Sequence, residues 1–252
     1  MKAIDAHAHL GNFPFGPITE RLDVFGGIKF SHKAIHNLIM RGVSGHNLDV
    51  KEFLSKNDLG GCVLVPLSKR DESFIKNLKI KNVFRLRFFD YHTKRCEPNG
   101  FDGYKIHPVI ERLNINSEKY ASFFHVAEKK RIPLLIHLGF YPLEHHQEFG
   151  ALKKLENLLD EYKLKIIVCH GGGEHWKKLS DMSDNYNFFT DLSLCSLEAI
   201  KHLYLKMGAE RIIFGSDYPL GDPKRRKEMI AKIASGEDLK KILYKNTLKL
   251  FC

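Results

Sequence analysis

The amino-terminal segment contains two histidines, His7 and His9, at the end of a short apolar run and separated by one residue. Because side chains alternate between the two faces of a strand, both imidazoles should point the same way if this run is a strand. Two imidazoles on one face provide half of a metal site, whose other ligands must come from elsewhere in the chain. Taken alone, the pair is equally compatible with a solvated loop at the start of the chain.

Four later apolar runs also end in residues that bind metals or exchange protons. The segments PLLIH, KIIVCH and RIIFGSD end at His137, His170 and Asp217, and the segment GYKIHP presents Lys105 and His107 on one face. A single polar residue at a strand end is commonly no more than a terminator. Five such runs instead predict a shared site, because barrel enzymes carry their catalytic residues at the C-terminal ends of the strands.

Short β-rich runs alternate with helical stretches along the whole chain. The predicted strands are Lys2–Ala6, Cys62–Leu67, Val83–Phe89, Gly103–Ile106, Pro133–Leu138, Lys165–Cys169, Asn187–Leu192 and Arg211–Gly215. The predicted helices are Val50–Asn57, Glu118–Lys130, Gly150–Tyr162, Leu197–Met207 and Arg225–Ala234. This alternation predicts parallel strands, and eight of them predict an α/β fold, a (β/α)8 TIM barrel, as a single domain over residues 1–252. The alternative is an open doubly wound sheet, but the sequence lacks the GxGxxG turn typical of that fold.

Further residues near the predicted strand ends are candidates for binding substrate. Asn12 and Phe13 belong to an aromatic-rich loop after the first strand, Arg87 lies on the third strand, and Trp176 follows the sixth. Each has a plainer interpretation: loop packing for Asn12 and Phe13, snorkelling to solvent for Arg87, and surface exposure for Trp176.

Three residues are assigned supporting roles. Asp191 and Ser193, at the end of the seventh strand, are predicted to hydrogen-bond a metal-binding histidine. Cys169 should alternate away from His170 and face the helix layer, where it would pack rather than act as a nucleophile.

Composition excludes several classes of protein. With 43% hydrophobic and 28% charged residues the chain is an ordinary globular protein. It lacks the roughly 20-residue apolar stretch of a membrane span and any signal-peptide pattern, so we expect a cytoplasmic location and no membrane partner. Five scattered cysteines without a CxxC pair favour reduced thiols. The net charge of +10 raises the question of nucleic-acid binding, which is disfavoured because basic and acidic residues are mixed and no nucleic-acid motif is present.

The ordered series DxHxH, GYKIHP, a strand-end histidine, CHGG and FGSDYP resembles the amidohydrolase superfamily. More narrowly, it resembles the amidohydrolase-related branch that includes aminocarboxymuconate-semialdehyde decarboxylase-like enzymes. The final segment ILYKNTLKLF, with Asn246, is similar to the last helix of that branch. The resemblance covers essentially the whole chain, and its motifs are specific as a series rather than one by one.

This resemblance implies a metal-dependent hydrolase. It implies metal ligation by His7, His9, His137 and Asp217, with His170 orienting the metal-bound water or polarising the substrate. Three imidazoles and one carboxylate suit Zn²⁺, which can supply hydroxide at neutral pH, and Asp217 could accept and later return the proton. The expected substrate is a small amide, ester or lactone that bears a carboxylate.

Lys105 leaves the number of ions open. In binuclear members of the superfamily a lysine of the fourth strand is carbamylated and bridges two metals. In the branch that the chain most resembles, this lysine usually accompanies a single ion, which we favour, leaving Lys105 to bind an anionic group of the substrate.

Two other functions are compatible with the same residues. Related sites remove CO₂ from unsaturated carboxylic acids or add water to them, so decarboxylase or hydratase chemistry is the first alternative. A non-catalytic barrel that binds a metal or a polyanion is the second. The resemblance also suggests a homodimer.

Overall fold

The computed structural model describes residues 2–11, 48–66, 69–89, 96, 98–139 and 147–252. Its strands form one sheet of eight parallel strands in sequential order. They are β1 (Ala3–Ala8), β2 (Leu59–Leu64), β3 (Val83–Phe88), β4 (Gly103–Ile106), β5 (Pro133–Ile136), β6 (Lys165–Val168), β7 (Phe189–Asp191) and β8 (Ile212–Ile213). The predicted barrel class is confirmed, and each predicted strand overlaps an observed one.

The first and last strands meet and close the barrel. The amide of Ala6 donates to the carbonyl of Phe214 at 2.8 Å, and the amide of His9 donates to the carbonyl of Tyr218 at 2.7 Å. A parallel bridge also pairs Ala8 with Tyr218. The chain beyond β8 thus continues beside the end of β1, which brings the first and last motifs of the sequence together.

Helices follow most strands and cover the outside of the sheet. In the described part of the chain they are α1 (Val50–Lys56), α2 (Lys69–Ile75), α3 (Pro108–Glu111), α4 (Ala121–Lys129), α5 (Leu152–Glu161), α6 (Trp176–Met182), α7 (Leu197–Met207), α8 (Pro223–Ala231), α9 (Gly236–Lys240) and α10 (Asn246–Phe251). Short 3-10 segments lie at Glu118–Tyr120, Gln147–Gly150, Cys169–His175 and Ala209–Arg211, and a π-helical turn at Lys241–Lys245. None of the helices described here is long and apolar enough to cross a membrane.

Several helices begin where the sequence provides a capping side chain. Asp49 accepts from an amide in the first turn of α1, and Ser196 does the same for α7. At α8 the cap is Asp222, followed by Pro223 in the first turn. Such caps satisfy amides that have no partner inside the helix, and they fix where each helix leaves the barrel.

Apolar side chains form two clusters on opposite faces of the sheet. The smaller cluster fills the barrel interior and consists of Ala6, Val63, Val65, Phe84, Leu86, Leu135, Ile167, Cys169, Ile213 and Leu250. The larger cluster lies between the sheet and the helices. The strands are therefore buried on both faces, as expected for a parallel sheet.

The final helix covers the amino-terminal end of the barrel. Leu250 of α10 joins the interior cluster, and the ring of Phe251 stacks on Phe84, with ring centroids 5.1 Å apart. Asn246 anchors this helix to the end of α7 and to β8 by donating to the carbonyls of Ala209 and Ile212. With one end of the barrel covered by α10, the functional residues of the strands are left to the opposite end.

Candidate metal centre and active site

The ends of β1 and β8 bring two histidines and one carboxylate together. His7 Nε2 lies 3.4 Å and His9 Nε2 lies 2.9 Å from Asp217 Oδ1. The other oxygen of Asp217, Oδ2, lies 4.0 Å from His170 Nε2. Potential ligand atoms of His7, His9 and Asp217 all lie within 4.8 Å of one another, and the three residues are buried.

Backbone geometry after β8 allows this approach. Asp217 has a positive φ of 61°, and its amide donates to the carbonyl of His7 at 2.8 Å. A Cβ atom at Gly215 would lie 3.1 Å from the Cβ atoms of Asp191 and His7. Glycine at this position therefore lets the ends of β7, β8 and β1 come close to one another.

Oxygen acceptors orient the imidazoles of His7 and His9. Asp191 Oδ2 lies 3.1 Å from His7 Nδ1, and the carbonyl oxygen of Val65 lies 2.8 Å from His9 Nδ1. Because both oxygens only accept, each Nδ1 carries a proton and each Nε2 presents a lone pair. His7 Nε2 is buried and has no hydrogen-bond partner among the described residues. Two lone pairs and the Asp217 carboxylate thus face one another, an arrangement that fits a divalent cation.

His170 is oriented through a short chain of hydrogen bonds. Its Nδ1 lies 2.7 Å from Ser193 Oγ, and Ser193 Oγ donates in turn to Asp191 Oδ1. Because the single hydroxyl proton of Ser193 goes to the carboxylate, Nδ1 of His170 must be the donor to Ser193, which leaves its Nε2 as an acceptor. Asp191 therefore supports both His7 and His170. The hydrogen bond predicted from Asp191 to a metal-ligand histidine is present at His7, whereas Ser193 bonds His170, to which no metal ligation was assigned.

The ionisation states of the cluster suit metal ligation. Burial lowers the pKa of His7 to about 4, although Asp217 and Asp191 act in the opposite direction. Burial alone would raise the pKa of Asp217, but the neighbouring imidazoles, chiefly His7 and His170, hold it well below its usual value. Neutral imidazole and ionised carboxylate at neutral pH are the forms that bind metal ions.

Asp5 supports the cluster from behind and received no role from the sequence. It is fully buried and accepts hydrogen bonds from the amides of His7 and Ser216, at 3.1 and 2.9 Å, and from Ser216 Oγ at 2.5 Å. Burial raises its pKa to about 7 despite these hydrogen bonds. Asp5 ties the chain before His7 to the chain before Asp217. The signal was its place at the head of the DAHAH segment.

The ends of β4 and β5 form the other side of the site. Lys105 is 1% exposed, and its Nζ donates to Cys169 Sγ at 3.1 Å. The ring of His137 stacks on that of His107, with centroids 4.1 Å apart. The centroid of the His137 ring lies 5.0 Å from that of the His170 ring. Burial holds the pKa values of His107 and His137 well below the usual value, so both rings are neutral.

His137 is placed differently from the other predicted metal ligands. It adjoins His170 rather than belonging to the group of His7, His9 and Asp217 whose ligand atoms lie within 4.8 Å. Its metal ligation stays a prediction. His107 has a structural role: its Nδ1 accepts from the amide of Ile110 and caps α3.

The orientation expected for Cys169 was wrong. Its side chain belongs to the interior cluster, as the alternation from Ile167 requires, and burial raises its pKa to about 12. The strand ends at Val168, and His170 has a left-handed backbone with φ 57°, followed by three glycines with positive φ. Alternation therefore stops at Cys169, and both it and His170 reach the site.

Two predicted substrate-binding residues lie in the outer layer. Arg87 Nε pairs with Glu72 Oε2 of α2 at 3.4 Å, and its guanidinium lies over the ring of Phe101. Strand alternation places Leu86 inside the barrel and Arg87 outside it. We therefore remove Arg87 from the substrate-binding set.

Trp176 is the second of these residues. Its ring packs edge-on against His202 of α7, with centroids 4.8 Å apart, so it joins α6 to its neighbouring helix. We remove it from the substrate-binding set as well. Asn12 and Phe13 lie outside the described residues.

Comparisons with known proteins agree with this geometry. A family profile described as Amidohydrolase matches residues 84–251, which is more than half of the chain. No curated protein matches the chain in sequence.

Solved structures share the fold at low sequence identity. 2,6-Dihydroxybenzoate decarboxylase from Rhizobium has a TM-score of 0.69 at 16% identity, covering 100% of this chain and 98% of the other. A probable 2-pyrone-4,6-dicarboxylic acid hydrolase from Acinetobacter baumannii has a TM-score of 0.65 at 14% identity, covering 100% and 99%. A dihydroxybenzoic acid decarboxylase from Polaromonas, with bound manganese and an inhibitor, has a TM-score of 0.66 at 16% identity, covering 99% and 96%.

Proposed function

Because the chain belongs to the amidohydrolase family, we propose that it is a metal-dependent hydrolase of a small amide, ester or lactone that bears a carboxylate. Members of this family are metal-dependent enzymes. The observation that carries the proposal is the convergence of two Nε2 lone pairs, of His7 and His9, on the Asp217 carboxylate. With each Nδ1 donating to an oxygen acceptor, neither Nε2 carries a proton toward the carboxylate, and a divalent cation would complete the arrangement.

In this proposal His7, His9, His137 and Asp217 hold one ion, which we expect to be Zn²⁺. When bound, the ion supplies a water activated at neutral pH and polarises a substrate oxygen. The pocket's own donor set favours such an ion, because imidazole nitrogen and carboxylate oxygen are common zinc ligands. The related decarboxylase contains bound manganese, which supports a divalent ion in this site. Metal analysis of the purified protein identifies which divalent ion it binds.

Asp217 and His170 move the proton. Asp217 is ionised, and its Oδ2 faces His170 Nε2 at 4.0 Å, so a water between β8 and β6 would lie within reach of two acceptors. Asp217 accepts the proton of that water and returns it to the leaving group. The Ser193–Asp191 chain holds His170 in the tautomer whose Nε2 can accept a hydrogen bond from the water or substrate.

Lys105 supports the choice of a carboxylate-bearing substrate. It is a nearly fully buried cation on the barrel floor, and an ammonium group has three donors, of which one is directed to Cys169. The names of the three related structures refer to dihydroxybenzoic acids and a pyrone dicarboxylic acid. A substrate carboxylate would thus match both this cation and the substrates of the relatives.

Decarboxylation is the second candidate, since two of these three relatives are named decarboxylases. The two reactions differ in their products. The purified protein should be incubated with carboxylate-bearing lactones and esters and with hydroxybenzoic acids, while CO₂ release and ring opening are both recorded. Ring opening without CO₂ supports the hydrolase, and CO₂ release supports the alternative.

Metal dependence is tested on the same reactions. Chelation should abolish turnover, and Zn²⁺ or Mn²⁺ should restore it. Full activity in protein shown to be free of metal would contradict both candidates.

A further inference from the structure

The floor of the site carries a sulfur atom beside the proposed ion. Potential ligand atoms of His7, Cys169 and His170 lie within 4.8 Å of one another, forming a second group besides His7, His9 and Asp217. The two groups share His7. The Cys169 sulfur is therefore a potential ligand of an ion bound to the imidazole that the proposed metal site also uses.

The residue common to both groups is the buried His7. His7 is 1% exposed, its Nδ1 is engaged by Asp191, and its Nε2 has no hydrogen-bond partner among the described residues. This is the atom that a bound ion would complete. Since His7 belongs to both groups, an ion bound to its imidazole has Cys169 and His170 as potential ligands in addition to His9 and Asp217.

The surroundings of the sulfur suit a ligand that carries negative charge. The buried Lys105 Nζ donates to Cys169 Sγ at 3.1 Å, whereas packing alone would require only apolar neighbours. A hydrogen bond from an ammonium group stabilises a thiolate. Cys169 and Asp217 would then supply two negative charges to balance a divalent ion.

We propose that Cys169 is a sulfur ligand of the divalent ion and makes the site selective for thiophilic ions such as Zn²⁺, Co²⁺ and Cd²⁺ over Mn²⁺. The inference rests on the proposed metal site and goes beyond the histidine and carboxylate ligands assigned above. As the metal–sulfur bond forms, the thiol loses its proton to solvent, and no atom is oxidised or reduced. Lys105 stays a protonated partner of the thiolate and is therefore not carbamylated.

The test is a titration of metal-free protein with Co²⁺, followed by its electronic absorption. A thiolate ligand produces a sulfur-to-cobalt charge-transfer band in the near ultraviolet, which nitrogen and oxygen ligands do not. Wild type and the control Cys62→Ala should show the band. Cys62 is a matched control because it is equally buried but packs between the sheet and the helices.

Cys169→Ala should bind Co²⁺ without the band. Its affinity for Cd²⁺ relative to Mn²⁺ should fall by about tenfold or more, in line with the loss caused by removing groups that support a metal site. Cys169→Ser provides a second variant of nearly the same volume if the alanine protein does not fold.

The outcomes separate this inference from the proposed function. Co²⁺ bound by wild type without the band, or a band that persists in Cys169→Ala, overturns the sulfur ligand and leaves the histidine–carboxylate site standing. If wild type binds no Co²⁺, or binds it equally well after His7→Ala, the proposed metal site itself is wrong, and the inference falls with it.

Discussion

The two sides of the site differ in charge and in how their side chains are held. The carboxylate side consists of Asp5, Asp191 and Asp217. Oxygens of Asp5 and Asp191 accept hydrogen bonds from neighbouring backbone amides, and Asp217 Oδ1 faces the Nε2 atoms of His7 and His9. The Lys105 side consists of Lys105, His107 and His137, with one ammonium group and two neutral stacked rings.

This difference separates two tasks. The ionised carboxylates of Asp191 and Asp217, at the end of β7 and after β8, concentrate negative charge where a cation would bind. The ends of β4 and β5 supply a positive group and neutral rings, which suit an anionic substrate. A barrel can divide these tasks because each strand delivers one or two side chains to the same mouth.

Asp217→Asn should have the largest effect, because it removes the charge of the carboxylate side at the point where His7 and His9 converge. We expect metal content to fall to near zero and turnover to fall by at least about a thousandfold. Metal analysis of the purified variant measures the metal content, and initial rates measure the turnover.

The control for this experiment is Asp181→Asn, an exposed acid of α6. It should keep both metal and activity. An Asp217→Asn protein that retains a full equivalent of metal would show that the carboxylate side does not hold the ion.

Lys105→Met tests the other side. It should raise KM by about ten- to a hundredfold, because a charge-assisted hydrogen bond to the substrate carboxylate contributes about 1.5–3 kcal/mol. The metal content should fall far less than in Asp217→Asn, because the histidine and carboxylate ligands remain. Steady-state kinetics together with metal analysis distinguish this effect from damage to the metal site.

Arg87→Met is the matched control, since Arg87 is a cation of a neighbouring strand that points outward. It should lower thermal stability through loss of the pair with Glu72 and leave KM unchanged. If Arg87→Met raises KM and Lys105→Met does not, the assignment of the two cations is reversed.

Asp191→Asn should have an intermediate effect on metal binding. It keeps the shape of the side chain but removes the charge that holds the proton on His7 Nδ1 and supports His170 through Ser193. Loss of such a partner typically weakens metal affinity by about 10- to 100-fold. Competition with a chelator of known affinity measures the metal affinity, and Asp184→Asn, which changes an exposed acid, is the control. Equal metal affinity in both variants would refute the supporting role of Asp191.

The strand pattern in the sequence was enough to predict the barrel and a shared site at one mouth. The family resemblance singled out the metal ligands, of which His7, His9 and Asp217 meet there. Apolar runs define strands, and parallel strands in a barrel end at one mouth, so residues far apart in sequence converge without knowledge of the loops. Contacts between layers were harder to predict. Alternation shows that Arg85 and Arg87 share a face, and the structure shows which face it is, through the interior position of Leu86 and the pairing of Arg87 with Glu72.

Local backbone geometry explains the remaining differences. Cys169 was misplaced because alternation was counted from His170, whose left-handed backbone lies beyond the end of the strand. Asp5 was overlooked because its partners belong to the chain after β8. The pairing register of β1 with β2 shifts between Asp5 and Ala8, so simple alternation does not describe this segment.

The last prediction concerns the stability of the metal-free protein between about pH 4.5 and 6, where the buried histidines and Asp5 act in opposite directions. Folding lowers the pKa of His7, from 6.5 to about 4, and those of His107 and His137. Only the unfolded chain protonates these rings as the pH falls, so they reduce stability toward acid. Asp5 acts oppositely, because folding raises its pKa from 3.8 to about 7 and the folded chain takes up the proton.

On unfolding, the chain takes up one proton at each of the three histidines and releases one from Asp5, so the net uptake is two protons. Stability should therefore fall by about 2.7 kcal/mol for each unit of pH decrease, at about 1.4 kcal/mol per proton. Asp5→Asn removes the opposing proton and should steepen this dependence by about 1.4 kcal/mol per pH unit. Denaturant unfolding of chelator-treated wild type and variant at several pH values measures both slopes. Parallel slopes would mean that Asp5 is ionised in the folded chain throughout this range, held so by its hydrogen bonds from Ser216 and His7.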